Sequence, residues 1–137
     1  MESCTGGGIA NAITNIEGSS DILKFSAVTY SNEFKIKMGV SKDVIDKYSV
    51  YSMETADEMS KNISLFTDSD IGIGVTGKLN RADKNNMYGD DNTVFVSIYF
   101  KKNGEYKNFV YNAIKDSRKE NKEYLIEEIA KELIKLI

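Results

Sequence analysis

The chain has 137 residues, 41% hydrophobic and 28% charged, the proportions of a single ordinary globular domain. Its net charge of −3 argues against non-specific nucleic-acid binding, and no apolar run reaches membrane-spanning length or follows a cationic start as a secretory signal would. One cysteine and no histidine remove a disulfide framework and the usual zinc and copper ligand sets, so a cytoplasmic protein without a resident metal is expected.

The first predicted element is a helix over Thr5 to Ile16, where Ile9, Ala12, Ile13 and Ile16 recur at helical spacing behind a cap at Thr5 or Gly6. Gly18-Ser19-Ser20-Asp21 breaks that pattern, and the alternation over residues 22–31 predicts a strand. A short helix follows from Asn32 to Met38, ending at Gly39. A second, capped by Ser41, runs through Tyr48. Ser52 caps a longer helix whose Ala56, Met59, Ile63 and Phe66 share one face. The glycine-punctuated apolar run from Ile71 to Gly77 reads as a buried strand ending at a functional loop, with a polar loop over 78–92. Thr93 to Lys101 is β-branched and aromatic, and Asn103-Gly104 predicts a hairpin turn into a strand from Glu105 to Tyr111. From about Arg118 to Ile137, Leu125, Ile129, Leu133 and Leu136 define an amphipathic terminal helix. This order suits an α/β sandwich with a mixed sheet.

The densest chemistry lies in Glu2-Ser3-Cys4-Thr5-Gly6-Gly7-Gly8. A hydroxyl before a glycine run at a helix start can sit among several backbone N–H groups able to stabilise an oxyanion. The same residues can equally be a plain helix cap and turn. Without an imidazole in the chain, an activated Ser3 needs another base, and Lys35 is the plainest candidate. An exposed lysine, with a pKa of about 10.4, is protonated and useless as a base, but burial beside the serine lowers that value. Tyr30 could relay a proton or orient the pair, or simply be a core aromatic. Thr76-Gly77 closes the buried strand, where α/β sheets place their ligands. Cys4 is a rival nucleophile that reads more simply as a buried thiol. The Asp and Asn residues of 83–92 do not match a calcium loop, and Arg118 with Lys122 could bind a phosphate or face solvent.

Taken together, several of these segments resemble the C-terminal domain of the CinA family of competence/damage-inducible proteins, the nicotinamide-mononucleotide deamidases. They are Glu2-Ser3-Cys4-Thr5-Gly6-Gly7, Gly18-Ser19-Ser20, Val28-Thr29-Tyr30-Ser31-Asn32-Glu33-Phe34-Lys35, Met38-Gly39-Val40, Val50-Tyr51-Ser52-Met53-Glu54 and Val75-Thr76-Gly77. The resemblance spans nearly the whole chain, 1–137, in a fixed order. It implies a three-layer α/β/α sandwich with a mixed sheet of about four to five strands. It also implies hydrolysis of the carboxamide of nicotinamide mononucleotide to nicotinate mononucleotide and ammonia, without a cofactor. Carried over, Ser3 is the nucleophile, Lys35 the base and Tyr30 a third catalytic residue. Thr5, Gly6, Gly7, Asn32, Thr76, Gly77 and Arg118 line the substrate, and a homodimer is expected. Against the family pattern, the chain is expected to lack an N-terminal helix and first strand. Lys78-Leu79-Asn80-Arg81-Ala82-Asp83 replaces a Gly-Pro-rich loop, and Asp116-Ser117 a Gly-Asp pair. The alternative that these changes raise is a catalytically silent nucleotide-binding or regulatory domain of the same fold.

Overall fold

A computed structural model describes residues 1–80 and 90–137. Of the loop expected over 78–92, residues 81–89 therefore lie outside the described residues, and with them most of the Asp and Asn residues of 83–92. The described elements are helix α1 (Gly8–Thr14), a 3-10 turn at Ser19–Asp21, α2 (Asn32–Lys37), α3 (Lys42–Tyr48) and α4 (Met53–Thr67). Strands β1 (Ile71–Gly77), β2 (Thr93–Phe100) and β3 (Glu105–Asn112) follow, then α5 (Arg118–Leu136).

The three strands form an antiparallel sheet in the order β1-β2-β3, with Ile71 opposite Phe100 and Phe100 opposite Glu105. Gly104 turns the second hairpin at φ +71, a left-handed conformation that glycine adopts without a side-chain clash. On the free edge of β1 the chain's first residues add a short parallel rung. Ser3 N donates to Val75 O at 3.0 Å, and Val75 N to Met1 O at 3.1 Å. On its other side the same rung meets the 27–29 segment, through Glu2 N to Ala27 O and Thr29 N to Glu2 O, both 2.8 Å. The sheet is thus mixed in direction, but its strand count is lower than the four to five expected.

The strand expected over 22–31 is the main correction: only Val28 is bridged, and only to Glu2. Alternation marks an extended segment, but a strand also needs a partner along its length. Here the neighbour is three residues long, and Ile22, Phe25, Val28 and Tyr30 stay exposed. The first helix is also shorter than expected, because Gly6 and Gly7 hold positive φ and Gly7, not Thr5 or Gly6, is its N-cap.

Helices cover both faces. On one, Ile9 of α1 and Leu125 and Ile129 of α5 pack with Cys4, Val75, Val94 and Val96. On the other, α4 crosses β1 and β2, and Met59 and Ile63 join Met1, Val40, Ile45 and Val50 in a second cluster. This is an α/β sandwich of three layers. Ser52 starts α4 by accepting Thr55 N at 3.1 Å, and Ser117 starts α5 with a capping box to Glu120. Gly72 and Gly74 let α4 lie directly on β1, since a Cβ at Gly72 would drive into the carbonyl oxygen of Ser60. Gly72→Ala should therefore cost about 3 kcal/mol or more, read as a fall of about 10 °C in Tm, because backbone rather than a flexible side chain must yield.

Candidate active site

Ser3 stands at the end of the parallel rung, on the α2–α4 side of the sheet. Glu2, Val28 and Val75 point the other way, toward α1 and α5, as the packing of Val75 there requires. The alternation then turns Ser3 toward α2, whose Lys35 reaches in from above. Lys35 is 2% exposed and Ser3 7%. Lys35 Nζ lies 3.2 Å from Ser3 Oγ and 2.7 Å from the backbone oxygen of Thr29. The contact joins residues 32 apart in sequence.

Local chemistry fixes the lysine. Ser31 caps α2 by accepting Phe34 N at 3.3 Å, and Gly39, at φ +103, ends the helix so that Val40 N returns to Lys35 O at 3.0 Å. The side chain of Val40 then enters the second core cluster and anchors the turn.

The glycine-rich turn departs from its sequence reading. The amides of Gly6 and Gly8 are spent inside the turn, on Ser3 O at 2.9 Å and Thr5 O at 3.1 Å. The first free amides of α1 are not open to a ligand either. Glu2, itself buried, accepts Ile9 N at 3.1 Å, Ala10 N at 2.9 Å and the Thr5 hydroxyl at 2.6 Å. Thr5 is thus a partner of Glu2, and its hydroxyl is already committed.

Thr76, fully buried, donates its hydroxyl to Val50 O at 2.8 Å and so ties β1 to the loop before α4. Gly77 allows β1 to run against Thr93 and Val94, where a Cβ would collide with backbone. Asn32 opens α2, one turn from Lys35. Tyr30 is 61% exposed, and its hydroxyl accepts Arg118 Nη2 at 2.7 Å, while Arg118 Nη1 donates to Leu79 O at 2.6 Å. Tyr30 and Arg118 therefore form one clamp joining the 27–30 segment, the end of β1 and the start of α5. Lys122 lies over Gly6.

Cys4 follows the nucleophile but faces the opposite core. Burial pushes its thiol up to about 12, above the help given by Arg118 and Lys35, so it carries almost no thiolate at neutral pH. Lys78 is a buried cation that sequence reading did not single out. It packs over the ring of Tyr51, 5.1 Å from its centroid, and pairs with Asp91 at 3.3 Å. Thr29 lies within the Val28–Lys35 motif, but sequence reading gave it no role of its own.

The sequence profile of the CinA C-terminal domain matches residues 1–137. The chain belongs to the CinA C-terminal domain family. CinA-like proteins from Endomicrobium trichonymphae and Flavobacterium psychrophilum are 49% identical over 77 residues and 40% identical over 100 residues. Those matches cover 56% and 71% of this chain but only 18% and 23% of the two relatives, so the chain spans less than a quarter of their length. Among solved structures, the competence/damage inducible protein CihA from Agrobacterium tumefaciens superposes with a TM-score of 0.84 at 27% identity, covering 98% of this chain and 81% of that one. A CinA superfamily protein from Escherichia coli gives 0.87 at 23% identity, over 98% and 77%, a likeness of fold. The CinA layers are thus the layers described above. No helix among the described residues is long and apolar enough to cross a membrane.

Proposed function

We propose that this CinA domain is a Ser–Lys amidohydrolase that converts nicotinamide mononucleotide to nicotinate mononucleotide and ammonia. The observation that carries the reading is the 3.2 Å contact between Lys35 Nζ and Ser3 Oγ in a layer closed to bulk water. A buried amine is driven toward its neutral form, and a neutral amine at hydrogen-bond distance can take the proton of an attacking hydroxyl. The Thr29 carbonyl holds the amine in place and keeps it aimed at Ser3.

In the reaction, Ser3 Oγ bonds to the carboxamide carbon as its proton passes to Lys35. The tetrahedral intermediate collapses by breaking the C–N bond, and Lys35 returns the proton to the departing nitrogen. Water then attacks the acyl-serine, giving its proton to Lys35, which passes it to Ser3 as the ester bond breaks. The amides of Cys4 and Thr5, directly after the nucleophile, are the nearest candidate donors for the oxyanion, since those of Gly6, Gly8, Ile9 and Ala10 are engaged elsewhere. The clamp of Tyr30 and Arg118 offers a guanidinium at the rim for the phosphate.

The test is ammonia release from nicotinamide mononucleotide by the purified protein and by Ser3→Ala. The expected result is turnover by the first and a rate lower by about 10³-fold or more for the second. Equal release by both rejects the dyad. Binding of the mononucleotide without release by either favours a silent nucleotide-binding domain.

A further inference from the structure

Thr29 is 2% exposed, and among the described residues its hydroxyl Oγ1 has no hydrogen-bond partner. Both of its backbone groups are engaged: its N–H donates to Glu2 O, and its carbonyl accepts Lys35 Nζ. The side chain alone is left over. A buried hydroxyl without a partner costs stability, and a valine would fill the same β-branched shape without that cost. The parallel pairing of Glu2 with Val28 puts Ser3 and Thr29 side by side on adjacent rungs, facing the same layer as Lys35. Thr76 flanks Ser3 from the β1 side, but its hydroxyl is already bound to Val50 O. Of the two flanking threonines, only Thr29 has a hydroxyl engaged neither as donor nor as acceptor among the described residues.

We propose that Thr29 Oγ1 is a substrate ligand that accepts an N–H of the scissile carboxamide, an inference that rests on the amidase reading of Ser3 and Lys35. Any carboxamide that reaches Ser3 Oγ must enter this closed layer with an NH2 that needs an acceptor there. Bonding one N–H to Thr29 gives the buried oxygen and the amide N–H a partner each and turns the nitrogen lone pair toward Lys35, which must protonate it as the C–N bond breaks. The hydroxyl thereby favours an amide over an ester of the same ring, because an ester has no N–H to give.

The experiment compares wild type with Thr29→Val and Thr29→Ser on nicotinamide mononucleotide and on the methyl ester of nicotinate mononucleotide, together with Tm. Thr29→Val should raise Tm by about 3–6 °C, since an unsatisfied hydroxyl is removed. It should lower kcat/KM for the amide by about 30-fold while changing the ester by less than about 3-fold, and Thr29→Ser should recover most of the loss. A fall in Tm, or equal losses on amide and ester, overturns the proposal. If wild type turns over neither compound, the amidase reading fails by itself, and calorimetric titration with nicotinamide mononucleotide decides Thr29. Weaker binding by Thr29→Val, by about 10-fold, then supports it. Unchanged binding, or none to wild type, overturns it.

Discussion

Lys35→Met is expected to lower amide hydrolysis by about 10³–10⁴-fold while leaving the fold intact or slightly more stable. Methionine has nearly the length of lysine and can occupy the same closed layer, so what disappears is the amine and not the packing. Removing a buried polar head leaves the Thr29 carbonyl and the Ser3 hydroxyl without their shared partner, a loss offset by no longer burying an amine. Lys35→Arg separates charge from basicity. A guanidinium stays protonated at every accessible pH, so this variant should be inactive even where its positive charge is retained. Rate profiles over pH with melting curves for the three proteins check both halves. A Lys35→Met protein that folds and still hydrolyses amide at the wild-type rate would exclude the dyad.

How much of this was legible beforehand depends on what each signal reports. The pairing of Ser3 with Lys35 could be anticipated because a chain without histidine offers few bases, and family motifs singled out that lysine. Glycine punctuation and β-branching marked β1 and β2 because both are strands with full-length partners. The 22–31 segment alternated just as well, but alternation reports which residues face which way and is silent about whether a neighbour exists. Glu2 and Thr29 were opaque for another reason. Their roles are defined by what sits across from them in space: a carboxylate under a helix start seven and eight residues on, and a hydroxyl with nothing opposite it. A sequence lists donors and acceptors but does not say which are already spent. For the same reason the turn was read as a cluster of open amides, when Glu2 had taken those of Ile9 and Ala10. Tyr30, expected beside the reacting pair, holds Arg118 because its side chain lies exposed, outside the layer that buries Ser3 and Lys35.

Glu2→Ala is the substitution expected to cost the fold most. Its carboxylate accepts three hydrogen bonds in a buried setting, two from backbone amides of α1 and one from Thr5. The alanine variant strands all three donors, those of Thr5 and Ile9 away from water and that of Ala10 partly so, and opens a gap between the parallel rung and the helix start. Leaving several buried donors unpaired should cost about 3–5 kcal/mol, seen as a Tm lower by roughly 10–20 °C. Glu2→Gln keeps one carbonyl oxygen and should lose less, about 1–2 kcal/mol, because an amide NH2 cannot accept from the helix. The effect reaches the site by a short path. Glu2 is the residue whose backbone stitches the 27–29 segment to the rung beside β1, and Ser3 is its immediate neighbour. Loosening that rung moves Ser3 Oγ relative to Lys35 Nζ, and misplacing reacting groups by about 1 Å can cost on the order of 10²-fold in rate. Both variants should therefore lose activity in proportion to their loss of stability, unlike Lys35→Met, where activity falls and stability does not. Thermal melts and amide turnover measured on the same preparations give that comparison, and an alanine variant as stable as wild type would deny Glu2 its place beneath α1.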